Sequence, residues 1–288
     1  MGNGKVALVT GSSRGIGRAV ALALARAGYD IAVHHSESPE QAAKTLADVK
    51  ALGVNAVILQ GDTGDRDVPA RIVNETVERL GRLDVLVNNA GITRFEGILD
   101  ITPEIMDLLY NVDFRGMILC ASAAAKHMVK NGVKGNIVFN TSIRSFSPHS
   151  NDCVYGALKA GLNRIIKSFA VDLGRYGIRV NGFSPGVTNV RVPRDEEQND
   201  PFYRNTHRFI PLRRNGYAED MGGPVAWLVS EEASYVTGQV IPVDGGLSAV
   251  GMPESYNEML NFYDVEEWFD PPAGVKFDMK DIIRPKNK

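Results

Sequence analysis

The sequence predicts an α/β fold, a doubly wound parallel sheet of about seven strands with helices on both faces. Three observations point to it. Short β-branched runs alternate along the chain with longer helical stretches. Several of those runs (VALVT, AVILQ, DVLVN, NIVFN) are continuously apolar, as strands buried on both faces of a parallel sheet require. The helical stretches also carry start and stop signals. An Ala/Leu-rich segment over 16–27 stops at Gly28, while Pro39 and Pro103 sit where first helical turns begin.

In chain order, strands are expected at 5–10, 30–33, 55–59, 84–87, 136–140, 179–183 and 239–243. Two stretches break the rhythm. Residues 187–216 contain six arginines (Arg191, Arg194, Arg204, Arg208, Arg213, Arg214) among prolines and glycines, with no clean period. A loop this long inside a compact domain is functional or mobile, and it is expected to form a substrate lid. After Gly246 the chain interleaves aromatics with acids until PPAG stops any helix. The expected organisation is one cofactor-binding and catalytic domain over 1–250, lid 187–216 included, followed by a C-terminal extension over 251–288.

Composition excludes several classes. With 44% apolar and 23% charged residues the chain is not dominantly disordered. Thirty-two basic residues against 34 acidic ones give a net charge of −2, so no general attraction to nucleic acid is expected. No apolar stretch approaches the roughly 18–20 residues of a membrane-spanning helix, and the first apolar run meets glycines too early for a secretory signal. Val6 stands where a myristoylation motif wants Ser or Thr. Cys120 and Cys153 are the two cysteines, too few for a disulfide framework and not spaced for zinc. The expectation is therefore a cytoplasmic protein without a metal, with Cys153 a small filler.

The first strand runs into Thr10-Gly11-Ser12-Ser13-Arg14-Gly15-Ile16-Gly17 and then a helix. A glycine-rich turn lets the backbone approach a pyrophosphate, and the helix N-terminus supplies free N–H donors. Gly11, Ser13, Arg14, Gly15, Ile16 and Gly17 are thus candidate dinucleotide-binding residues. An acid at the end of the second strand would favour NAD, but that strand ends Val33-His34-His35-Ser36, with no carboxylate until Glu37. Arg14 offers a guanidinium that can grip a phosphate. The expected cofactor is NADP(H) in preference to NAD(H), with His35 and Ser36 at the adenosine ribose. Asp62, followed by Thr63 in QGDTGD, either accepts from an adenine amino group or caps a helix.

Tyr155-Gly156-Ala157-Leu158-Lys159 places a phenol and an ammonium one turn apart on one helical face. The ammonium favours the phenolate, which lets Tyr155 exchange a proton with a substrate hydroxyl or carbonyl. Ser142 follows the carboxyl end of the fifth strand, where ligands gather in such sheets.

TGSSRGIG, NNAG at 88–91, Ser142 thirteen residues before Tyr155, YGALK, SPG at 184–186 and VTGQVIPVDGG occur in order. Jointly they resemble the short-chain dehydrogenase/reductase family over roughly residues 4 to 247. The resemblance implies a single-domain Rossmann-like fold, a nicotinamide cofactor and a homotetramer. It implies Tyr155 as acid/base, Lys159 binding the ribose and lowering the tyrosine pKa, and Ser142 positioning substrate. Asn88, Asn89, Ala90 and Gly91 would abut the cofactor, as would Pro185 and Gly186. Val187 and Thr188 would meet the carboxamide.

One departure stands out. Where the family reads Asp-x-Asn-x-x-Gly, this chain reads Asn111-Val112-Asp113-Phe114-Arg115-Gly116, so Asp113 takes the place of an Asn in a water-mediated relay to the lysine. The relay is expected to survive, because that residue acts largely through its backbone carbonyl, and the carboxylate is expected to raise the lysine's pKa. In the alternative Asp113 is structural and Asn111 supplies a compensating hydrogen bond.

Arg94 follows NNAG, Arg144 follows Ser142, and His149 and Asp152 lie in the loop before Tyr155, where they are expected to hydrogen-bond substrate hydroxyls. These suggest an anionic or polyhydroxylated substrate, unless the arginines pair with Asp195, Glu196, Glu197, Asp200 or the acidic tail. The expected reaction is hydride transfer between nicotinamide and a secondary alcohol or ketone. The segment from NGVKGNIVFNTS to SPG resembles bacterial sugar 1-dehydrogenases, making a sugar, polyol or sugar acid the first substrate class. The alternatives are a 3-oxoacyl thioester reductase and, in another class, a catalytically silent NADP-binding sensor or scaffold.

Overall fold

The computed structural model describes residues 4–201 and 203–249. Strands β1 (Val6–Val9), β2 (Asp30–His35), β3 (Ala56–Gln60), β4 (Val85–Asn88), β5 (Asn136–Asn140) and β6 (Arg179–Pro185) are joined by β9 (Val240–Val243) in one sheet. Every pairing in it is parallel, and the order is β3-β2-β1-β4-β5-β6-β9. The chain leaves β1 in one direction and returns at β4 to build the other. That reversal opens a crevice at the carboxyl ends of β1 and β4, the place where such sheets bind ligands.

Helices α1 (Gly15–Arg26), α2 (Pro39–Lys50), α3 (Val68–Leu80), α4 (Pro103–Tyr110), α5 (Met117–Lys130), α6 (Cys153–Gly174) and α8 (Ala218–Val229) surround the sheet. The strands feed two cores by their period of two. Ala7 and Val9 of β1 join Val20, Leu24, Val225 and Leu228 of α1 and α8 on one face. Leu8, between them, joins Ile72, Ala121 and Leu162 of α3, α5 and α6 on the other. Continuous apolar runs were needed because both faces are covered. Pro39 and Pro103 open α2 and α4 as expected.

Two departures have physical reasons. β2 continues past Val33, because His34 and His35 pair in register with Leu59 and Gln60 and both are buried. Polar residues hid that extension. The aperiodic segment 187–216 is not bare loop. Its ends pair as β7 (Thr188–Asn189) and β8 (Gly216–Tyr217), with 3-10 turns and the one-turn α7 (Tyr203–Thr206) between them. Two-residue strands leave no readable period. The aromatic tail and the extension 251–288 lie outside the described residues.

Candidate active site

Arg14 is the N-cap of α1, and no side chain caps that helix and no acid lies in its first turn. Its first N–H groups therefore present an uncapped positive dipole end, which suits an anion. Gly11 opens the turn at φ +64, a conformation that favours glycine. The turn is braced from β4: Thr10 Oγ1 accepts the Asn89 and Ala90 N–H groups, each at 2.9 Å. Asn89 Nδ2 donates to Thr10 O at 2.9 Å and Gly11 O at 3.1 Å. Asn88 is fully buried, and its amide atoms find no partner among the described residues. Ser13 is buried, its carbonyl accepting from Thr45 Oγ1 at 2.9 Å.

Beside the glycine turn and the end of β2, Arg14 and Ser36 are exposed, while His35 is buried and its Nδ1 accepts the Ser38 N–H at 3.2 Å. Burial pushes the His35 pKa down, against the pull of Glu40. Asp62 Oδ1 accepts the Gly64 N–H at 2.8 Å, beside the buried Thr63. Asp67, not Asp62, is the N-cap of α3, which removes the helix-cap alternative for Asp62.

At the reacting end α6 sets Lys159 Nζ 5.4 Å from the centre of the Tyr155 ring. Nζ donates to Asn140 O at 3.3 Å and lies 3.0 Å from Asp113 Oδ1, with both side chains buried. Asp113 Oδ2 accepts the Ile92 N–H at 3.1 Å. Asp113 lies in a π-helical turn, Asn111–Gly116, between α4 and α5. A side chain on Gly91 would come within 2.7 Å of Asp113 Oδ1, so only glycine lets the loop after β4 sit so close. Burial pushes Lys159 down more than any one neighbour pushes it up, but the Asp113 carboxylate and the Tyr155 phenol together hold the lysine above its ordinary value. The Asp113 carboxyl is itself pushed up by burial, against the Lys159 charge. The charged partner of Asp113 is thus Lys159, and Asn111 makes no side-chain hydrogen bond among the described residues to replace it.

Ser142 caps a 3-10 turn (Ile143–Ser145), its Oγ accepting the Arg144 N–H at 3.2 Å, so its O–H is free to donate to a substrate oxygen. Asn163 of α6 holds the turn through Ser145 Oγ at 2.8 Å. Pro185 ends β6 and Gly186, Val187 and Thr188 follow it, with Thr188 Oγ1 donating to Gly186 O at 3.0 Å. The ends of β1, β4, β5 and β6, neighbours in the sheet, thereby gather the glycine turn, NNAG, Ser142 and SPG in one crevice.

The arginines are placed differently. Arg144 pairs with the buried Asp152 at 3.2 Å and lies 4.6 Å over the Phe95 ring. Arg194 pairs with Glu219 and Arg214 with Asp220, none of them an acid the sequence suggested. Arg94 is exposed and bonds only its neighbour's carbonyl, Thr93 O, at 3.1 Å. His149 is exposed and its ring turns to Ser150 O at 2.9 Å. Cys153 is exposed rather than a filler.

Residues 11–248 match a family model described as enoyl-(acyl carrier protein) reductase. A solved short-chain dehydrogenase/reductase from Serratia marcescens superposes with a TM-score of 0.79 at 30% identity, covering 85% of this chain and 98% of that one. The chain belongs to the short-chain dehydrogenase/reductase family. Curated relatives include an L-rhamnose 1-dehydrogenase (NAD(P)(+)) of Sphingomonas sp., 36% identical over 85% of this chain and 96% of its own length. A 3-oxoacyl-[acyl-carrier-protein] reductase of Staphylococcus aureus is also 36% identical, over 84% and 98%.

As a short-chain dehydrogenase/reductase the chain is an oxidoreductase of a family that binds NAD(P). The uncapped α1 turn fits the pyrophosphate of that cofactor. Among the described residues no cluster of three or more His, Cys, Asp or Glu could hold a metal, and no helix is long and apolar enough to cross a membrane. Two contributors escaped the sequence reading of this short-chain dehydrogenase/reductase, His34 beneath the glycine turn and Asn140 under Lys159, while Asp152, expected to meet substrate hydroxyls, is buried and pairs with Arg144. The position of Asn140, two residues before Ser142, was the available signal for it. For His34 there was none, since its partners are set by packing.

Proposed function

We propose that the chain is an NADP-preferring dehydrogenase acting on a secondary alcohol or ketone of a neutral sugar or polyol. The observation that carries the reading is Lys159 beside Tyr155 on α6, which also holds the turn that Ser142 caps, next to an arginine already neutralised by Asp152. When bound, the dinucleotide supplies the hydride acceptor for oxidation or the donor for reduction. Tyr155 Oη takes the proton of the substrate hydroxyl in oxidation and returns it to the carbonyl oxygen in reduction. The Ser142 O–H holds that same oxygen. Lys159 keeps an ammonium near the phenol, and Asp113 with Asn140 O fixes where it sits.

The pairing of Arg144 argues against an anionic substrate and for a hydrogen-bonding one. A guanidinium bonded to a carboxylate keeps free N–H donors for hydroxyl groups but has little net charge to offer. The Sphingomonas relative named for L-rhamnose supports the same class. The experiment follows nicotinamide absorbance with 6-deoxysugars, other aldoses, polyols, sugar acids and an acetoacetyl thioester, each with NADP(H) and NAD(H). Neutral sugars or polyols with NADP+ are the expected substrates. Arg14→Ala should lower kcat/KM for NADP+ by about tenfold or more, the scale of one charged hydrogen bond, while leaving NAD+ nearly unchanged. Turnover of the thioester alone favours the reductase reading, supported by the Staphylococcus relative.

The same reading includes a homotetramer. Met106, Leu108, Leu119, Val129 and Val171 leave large apolar side chains exposed on α4, α5 and α6, which subunit contact would bury. Light scattering should give the mass of four chains; a monomer at micromolar concentration sinks the assembly.

A further inference from the structure

We infer that His34 is a positioning residue of the dinucleotide site, one imidazole that locks the pyrophosphate-binding turn to the loop after β3. The inference rests on the reading of the glycine turn as the cofactor cradle. His34 is buried near the end of β2, with its ring between two backbones. Its Nδ1 lies 3.1 Å from the Gly11 N, and its Nε2 lies 3.0 Å from Gly61 O.

Those partners dictate the chemistry of the ring. An amide N–H can only donate and a carbonyl can only accept, so Nδ1 is bare and Nε2 carries the hydrogen. One neutral tautomer satisfies both sides. Burial pushes the His34 pKa down to about 4, which keeps the ring neutral at physiological pH. A second proton on Nδ1 would set donor against donor at Gly11.

The backbone of the same residue is stitched to the same turn. Ser12 N–H donates to His34 O at 2.8 Å, and the His34 N–H donates to Ser12 Oγ at 3.0 Å. Ser12 Oγ in turn donates to Val9 O at 2.7 Å. On the far side Gly61 leads directly into Asp62 and Thr63, the candidate adenine contacts. The ring therefore spans from the turn that would hold the pyrophosphate to the loop that would hold the adenine, and sets the spacing between them. It also occupies the Gly11 N–H, so Gly11 shapes the cradle through its backbone conformation rather than by donating to the ligand.

Shorter or differently shaped side chains reach one partner only. The Asn amide lies at the level of Nδ1 and the Gln amide near Nε2, so His34→Asn keeps the Gly11 bond and His34→Gln keeps the Gly61 bond. The test measures NADPH affinity by fluorescence titration, and kcat at saturating cofactor, on the full chain and its His34→Ala, His34→Asn and His34→Gln variants. For His34→Ala the expected result is NADPH binding weakened about tenfold or more, since a buried N–H and a buried carbonyl lose their partners together. Its kcat at saturation should stay within about twofold, and the two amide variants should bind with intermediate affinity.

Unchanged NADPH affinity in His34→Ala overturns the inference, and so does a loss of kcat with affinity intact. If His34→Ala does not fold, His34→Asn decides by the same two readings. Failure of the unmodified chain to bind NADPH overturns the cofactor reading and this inference together. Tight binding by the unmodified chain and equal binding by every variant overturns the inference alone.

Discussion

Replacing Tyr155 by Phe should leave NADPH binding unchanged while lowering turnover at least about a hundredfold, the usual scale for losing a general acid or base. The substitution removes one oxygen from a side chain that is partly exposed at the start of α6, so the packing around it has little reason to change. Lys159 keeps its contacts with Asp113 and Asn140 O, because neither passes through the phenol oxygen. What disappears is the proton acceptor. Without it the substrate hydroxyl must give its proton to water as hydride leaves, and the Ser142 O–H, already oriented by the Arg144 N–H, cannot take that role. Titration of NADPH fluorescence and steady-state rates on one preparation separate binding from chemistry. Near-normal turnover in Tyr155→Phe would refute the assignment.

Replacing Asp113 by Ala should be the most destabilising change at the site, by about 3–5 kcal/mol, the cost of leaving one partner of a buried pair alone. Lys159 lies in the fold with the Asp113 carboxylate 3.0 Å away and one backbone carbonyl as its remaining partner. The Ile92 N–H would lose its acceptor in the same step. Asp113→Asn should cost less, since its amide oxygen can still serve one of the two donors. Its main effect should be on the pH–rate profile. The carboxylate is the larger of the two neighbours, with the Tyr155 phenol, that hold Lys159 above its ordinary value against burial, so removing its charge lowers the lysine pKa. The alkaline limb of the profile should therefore move to lower pH. Urea unfolding of both variants and a pH–rate series on Asp113→Asn are the measurements. An Ala variant as stable as the parent chain, or an Asn variant with an unmoved alkaline limb, sinks the respective half.

Much of the fold could be read along the chain. The seven sheet strands lay at or within two residues of their expected positions, because a strand buried on both faces must be apolar at every step. The glycine turn was legible for a related reason: its geometry follows from a strand, a tight turn and a helix N-terminus that are consecutive in sequence. Tyr155 and Lys159 needed only the helical period to meet on one face.

What the residues did not disclose was how charges and buried polar groups would pair. Asp113 and Lys159 come from different elements, and a π turn between α4 and α5 carries the Asp at their meeting point. Arg144 could have faced a ligand, but Asp152, eight residues further on, accepts it instead. Arg194 and Arg214 found Glu219 and Asp220 rather than the acids of 195–200. His34 looked like the polar end of a strand until β1 and β3 closed around its ring. By itself the sequence determined the strands, the cofactor turn and the Tyr/Lys face, since local spacing suffices for each. Only the tertiary structure decided which carboxylate neutralises which cation and which histidine braces the turn, because a hydrogen bond or ion pair acts over about 3 Å and its partner is set by packing between distant segments.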